Sequence, residues 1–158
     1  MRESLSETRG TGAFVPGPTS RSNVPAVFAL GTAIVLSAVL AGAAIVDQAS
    51  IHGLRDHSEA MYEPYGVPAN PGALYGILYT VAVVGALLWI PAILGARKGK
   101  RWAAVMSVIA VVITAGLALT VFATAEYGEA VYPPVWGVLA LLPALAGVLG
   151  AVPLLRRR

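Results

Sequence analysis

The side chains of this chain that can do chemistry crowd into one short stretch, Ile51-His52-Gly53-Leu54-Arg55-Asp56-His57-Ser58-Glu59-Ala60-Met61-Tyr62-Glu63. Imidazoles and carboxylates are the donors that zinc and related divalent ions take up. On a helix, His52 and Asp56 would stand one turn apart, Glu59 and Glu63 would continue that face, and His57 would point elsewhere. The spacing is not H-E-x-x-H or another named metal motif. Ile51, Leu54, Met61, Tyr62 and Tyr65 recur on the other side of the same helix. The periodicity therefore also describes an amphipathic helix lying on a membrane surface with its polar face in water. That second account needs no ion. The expectation is no metal and no cofactor, with His52, Asp56, His57, Glu59 and Glu63 as the residues a metal would use.

Other chemistries fail on specific absences. The chain has no cysteine, which excludes disulfides, thiol redox chemistry and thiolate metal sites. No glycine-rich phosphate loop is present, and no Ser/His/Asp set lies at matched membrane depth. Haem held between helices would need axial ligands within them, and both histidines lie in this one stretch. No catalytic constellation results, and the chain reads as a protein that is not an enzyme.

The elements that must position this stretch are four apolar runs, Val24–Val46, Gly72–Ala96, Trp102–Ala125 and Val135–Leu155, of 23, 25, 24 and 21 residues. None contains Asp, Glu, Lys, Arg or His. Roughly 20 helical residues cross a hydrocarbon core of about 30 Å. The fold class is therefore all-α, a polytopic membrane protein built as a four-helix bundle over residues 24–155. Proton-coupled transport normally uses an acid inside the membrane, and no span supplies one.

Charge sets the expected orientation. Ten of the eleven Lys/Arg lie before the first span, in Arg97-Lys98-Gly99-Lys100-Arg101, or in Arg156-Arg157-Arg158. The 47–71 and 126–134 loops hold Asp47, Asp56, Glu59, Glu63, Glu126 and Glu129, with Arg55 as their one cation. Basic loops stay cytoplasmic, so both termini and the 97–101 loop are expected inside and the acidic loops outside. This sorting by side accounts for the net charge of +3 without any nucleic-acid partner.

Residues 1–23, rich in Ser, Thr, Gly, Pro and Arg, read as a disordered cytoplasmic tail, and 156–158 as a short basic one. The first span starts after 23 residues and reads as retained, not as a cleaved signal. Within it Ala29, Ala33, Ser37 and Ala41 recur every four residues, a small-residue row of the kind that lets helices approach in lipid. Pro143, Gly147 and Ala151, with Gly150, give the fourth span a similar face, expected to look inward. Ser107, Thr114, Thr120 and Thr124 can bond the carbonyl one turn back. Tyr75, Tyr79, Trp89, Trp102 and Trp136 fall near span ends and read as headgroup-belt aromatics.

The stretch Leu74–Trp102, ending Gly95-Ala96-Arg97-Lys98-Gly99-Lys100-Arg101-Trp102, followed by Tyr132-Pro133-Pro134 and Leu141-Leu142-Pro143, resembles small uncharacterised four-span membrane proteins of GC-rich Gram-positive bacteria. The resemblance implies a four-span fold and brings no activity or site residues with it. The expected role is a non-enzymatic integral component of the cell membrane. Its partners would be the lipid bilayer, other membrane proteins, or further copies meeting through small-residue faces. The alternatives are a subunit of a small oligomeric transporter or channel, and an outer-face metal-binding or sensor module.

Overall fold

The structure, a computed structural model, describes residues 23–156. The tail expected over 1–23 lies outside the described residues except for Asn23, as do Arg157 and Arg158 of the basic tail. Helix α1 spans Val24–Val46 and runs on through a wider π-helical turn, Asp47–Ile51. A short helix, α2, covers Gly53–Tyr62. The remaining long helices are α3 (Pro71–Arg97), α4 (Trp102–Ala123) and α5 (Pro134–Leu155). A small antiparallel hairpin, β1 (Ala125–Glu126) and β2 (Glu129–Ala130), links α4 to α5.

Local chemistry explains the ends. Pro25, Pro71 and Pro134 sit in first turns, where a missing N–H costs nothing. The side chain of Asn70 accepts from the Ala73 N–H at 3.1 Å and caps α3. Helix α4 stops two residues before its apolar run does, because Thr124 turns extended and leads into the hairpin.

The four long helices form a closed ring in the order α1, α3, α4, α5, each packed on the next, with α3 and α5 also meeting across the diagonal. The tight turn over 98–101 and the hairpin between α4 and α5 join antiparallel neighbours, while the longer 47–70 connection that carries α2 joins α1 to α3. Spans 1 to 4 are each long and apolar enough to cross a membrane. Their outward faces carry large apolar side chains in the open, among them Phe28, Val112, Leu119 and Leu149. That apolar surface needs lipid against it.

Inside the ring lie two apolar clusters. One, toward the acidic loops, joins Leu40, Leu78, Val121 and Trp136 to Leu54 and Met61 of α2. The other, toward the basic loop, joins Leu30, Trp89, Ala103 and Leu154. Small residues separate them. A Cβ on Gly85 would come within 3.2 Å of Ser37 Oγ and 3.6 Å of Thr114 Cγ2, so α1, α3 and α4 converge there. Buried Ser37, Ser107 and Thr114 each donate to a carbonyl of their own helix, at 3.0, 2.8 and 2.7 Å. These hydroxyls need no partner across the bundle.

The centre of the small-residue row in α1 lies on a helix seam: Ala33 and Ser37 are buried, and Ala29 and Ala41 half-buried at its margins. The buried stripe itself follows Ala26, Leu30, Ala33, Ser37, Leu40 and Ala44, close to a 3.6-residue period and not a four-residue one. Pro143, Gly147, Gly150 and Ala151 are all buried. A Cβ on Gly147 would lie 2.0 Å from the Trp89 ring, so the missing side chain is what admits that indole from α3.

This packing corrects the belt reading for three aromatics. Tyr75, Trp89 and Trp136 are buried in the bundle, whereas Trp102 is 46% exposed and Tyr79 half-buried. Sequence depth placed them near span ends. The rotation of each helix, fixed by its neighbours, turned three of them inward.

Candidate functional site at the acidic end

Asp47 organises the acidic end. The π-helical turn carries the chain one step past α1, and His52 then adopts a left-handed backbone (φ 59°) that reverses it into α2. The reversal brings the first N–H groups of α2 back over Asp47. Its Oδ1 accepts from Gly53 N at 3.1 Å and its Oδ2 from Leu54 N at 3.0 Å. The first N–H groups of a helix have no partner within it, and here a side chain six and seven residues upstream supplies one. Tyr75, from the first turns of α3, donates its hydroxyl to the same Oδ2 at 2.6 Å. One buried carboxyl group thus ties α1, α2 and α3 together. Next to it, Tyr79 donates to Gln48 Oε1 at 2.5 Å. Asp47 and Gln48 therefore face Tyr75 and Tyr79, which lie one turn apart.

Helix α2 turns its apolar face onto the end of the bundle. Leu54, Ser58 and Met61 are buried, and the two apolar ones join the bundle core. Ile51 and Tyr65, expected on the same apolar face, are exposed. The apolar face of α2 is narrow, and the open end of a four-helix ring takes it up. Ser58 Oγ donates to the Arg55 carbonyl at 2.8 Å, so its burial leaves no unpaired group.

The hairpin leans on α2 from the other side. The Ala130 carbonyl can only accept, so His57 Nε2, 2.9 Å away, is the donor. Tyr62 donates to the Glu126 carboxylate, and this contact pushes the Tyr62 hydroxyl pKa up to about 12. Tyr65 stacks on Tyr127 with ring centroids 4.1 Å apart, and Tyr62 meets Tyr127 edge-on at 5.9 Å. Tyr127 and Gly128 both have positive φ, the backbone of a tight two-residue hairpin turn. Tyr132 reaches the Leu74 carbonyl at 3.3 Å, and burial pushes its hydroxyl pKa up to about 12.

A cleft of about 500 Å³ opens between α2 and the start of α3, lined by Gln48, His52, Arg55, Glu59 and Tyr75 together with Ala69, Pro71 and Gly72. Arg55 and Glu59 pair across one turn of α2 at 2.7 Å, both about half exposed. The bond to Glu59 raises the Arg55 pKa.

The five metal candidates do not converge. His52 caps α2 from the left-handed corner, and its φ of 59° departs from the helical backbone that would stack its side chain one turn above Asp56. His57 is engaged by the hairpin and Glu59 by Arg55. Asp56 and Glu63 are exposed. Among the described residues no three His, Asp or Glu side chains gather to hold an ion. The residues that do organise this end are Asp47 and Tyr75, which the sequence alone presents as a loop charge and a belt aromatic. A signal existed: consecutive antiparallel spans put residues just after span 1 beside those just inside span 2. Asp47-Gln48 and the Tyr75/Tyr79 pair are matched donors and acceptors at that depth.

Comparison with protein-family models, with curated proteins and with solved structures finds no match. Fold and site alone define the class. The chain is a multi-pass membrane protein, an all-α bundle of four membrane-length helices, closed at its acidic end by α2 and the hairpin.

Proposed function

We propose that this protein is a small non-enzymatic component of the cell membrane, with both termini cytoplasmic, that presents its acidic cap to other membrane proteins. One observation carries the reading. The cap is held in a fixed shape by the Asp47 carboxyl group, which takes donors from α2 and α3 at once. A segment serving only as a tether between spans has no need of such a junction. A rigid, charged, tyrosine-rich surface suits recognition, because little ordering is left to be done on binding. The orientation rests on the separation of Lys/Arg from Asp/Glu between the two ends.

The transporter alternative has less support. The ring interior is filled by Leu30, Leu40, Leu78, Trp89 and Val121, all fully buried. Its hydroxyls at Ser37, Ser107 and Thr114 are turned to their own backbones, not to a shared path.

Two measurements test the proposal. A photo-crosslinking residue at exposed Ala60 in α2 should give discrete protein adducts in intact cells, and one at lipid-facing Val112 should not. Purified protein in liposomes should add no solute or ion flux. Protein-dependent flux, or adducts equally frequent from both positions, would overturn it.

A further inference from the structure

The basic end carries a second, separate feature. The α3–α4 turn is closed by backbone bonds from Gly99 N to Ala96 O and from Lys100 N to Gly95 O, at 3.1 and 2.9 Å. Asn23, just before α1, donates its side-chain N–H to the same Ala96 carbonyl at 2.8 Å and clamps the start of α1 to the end of α3. Two adjoining hollows flank this clamp and share Asn23 and Gly99. The larger, about 720 Å³, has Arg97 and Lys98 at its rim and Val24, Val27 and Phe28 of α1 as its wall. The smaller, about 230 Å³, is bordered by Lys100 and Arg101.

Two properties are combined here. Four cations ring the hollows, and every described Asp and Glu lies at the opposite end of the bundle. Beside the cations, one face of the first two turns of α1 is apolar and open, with Phe28 76% and Val24 69% exposed, while Ala26 and Leu30 turn into the bundle. A soluble anion would use the cations but not the wall. A hydrocarbon chain would use the wall but not the cations. We propose that the groove between α1 and the α3–α4 turn is a binding site for one anionic phospholipid, its phosphate at Arg97 and Lys98 and an acyl chain along Val24 and Phe28. Basic side chains at the membrane boundary attract anionic headgroups by about 1 kcal/mol each, and the apolar wall makes the site local, not a diffuse field. The proposal rests on the reading of the chain as a membrane component, but not on which side its basic end faces.

The test uses the full chain in neutral detergent, with phosphatidylglycerol titrated in and bound lipid counted by native mass spectrometry. One phosphatidylglycerol should be retained preferentially over phosphatidylcholine. The double variant Arg97→Gln/Lys98→Gln should weaken retention by about thirtyfold, from two cations at the strength above. Arg156→Gln removes a charge at the same end but outside the groove and should leave retention within about twofold. Phe28→Ser, altering the wall without touching charge, should also weaken it, and an unchanged melting temperature in lipid-free detergent verifies that each variant is folded. Equal losses from Arg156→Gln would reduce the effect to general electrostatics and overturn the site. So would equal protection by inorganic phosphate, or retention that appears only once residues 1–20 are removed, which would give the groove to the chain's own N-terminal segment. Orientation is read independently by surface labelling, so a reversed topology would sink the proposed role and leave the lipid site standing.

Discussion

At the scale of single residues, Asp47 makes the clearest demand on the fold. Its carboxyl group accepts two backbone N–H groups and a tyrosine hydroxyl while only 7% exposed. Removing it strands buried donors, and each such loss costs about 1–3 kcal/mol. Asp47→Ala should therefore lower stability by roughly 2–4 kcal/mol in detergent melts, and Tyr75→Phe by roughly 1–2. Their combined loss should fall short of the sum, because both remove the same bond. Strict additivity would show that the two groups do not act together. Tyr62 offers a pH reading. Its pKa lies above the ordinary tyrosine value, so the bond to Glu126 favours the neutral hydroxyl. That contribution is present in full below the unfolded pKa of 10.0 and fades as the pH rises through about 12. Absorbance titration should find late-ionising tyrosines, Tyr132 among them, and Tyr62→Phe should remove one tyrosine from that late phase; a late phase of unchanged amplitude in that variant would refute the assignment.

At the scale of elements, the helices are held by fit at small residues. Lipid is as apolar as the side chains it touches, so close approach and shape do the work that water exclusion does in soluble cores. Ala33→Leu places a large side chain in the seam where Ala33 is wholly buried, and should cost about 1–3 kcal/mol. Ile34→Leu, on the half-buried flank, should cost under about 1.5. Gly147→Ala makes a sharper comparison. Its new methyl would meet Trp89, whereas at Gly76 nothing stands within 4 Å. Thermal melts should show Gly147→Ala destabilised and Gly76→Ala unchanged or improved, and equal melting temperatures would mean that Trp89 does not occupy the gap. For α2, Leu54→Ala should loosen the cap before the bundle, read as faster hydrogen exchange over 53–62 with the spans still protected.

At the scale of the whole molecule, charge separation predicts the orientation and the structure chooses the reporters. Ser58 is buried and Gly99 has a positive φ, so neither suits a cysteine probe. Ala60 and Lys98 are exposed and lie at opposite ends. The native chain has no cysteine to interfere. An impermeant thiol reagent on intact cells should label Ala60→Cys and spare Lys98→Cys, and the reverse pattern would invert the topology.

What the sequence determined by itself is the set of properties that follow from neighbours along the chain. Runs of 21 to 25 uncharged residues make four membrane-length helices whatever surrounds them, because a backbone in lipid must satisfy its own hydrogen bonds. The hydroxyls of Ser107 and Thr114 likewise find partners one turn back in their own helices. The tertiary structure alone decided what depends on rotation and closure. Low-contrast spans, apolar all round, do not record which face turns inward, so depth along the chain places Tyr75, Trp89 and Trp136 at the belt whereas the fold buries them in the core. The acidic loop shows the same limit. Its helical periodicity was legible and α2 formed, but the pattern fits a membrane surface and the mouth of a bundle equally. The left-handed turn at His52 folds α2 back onto Asp47 and sets Leu54 and Met61 against the bundle.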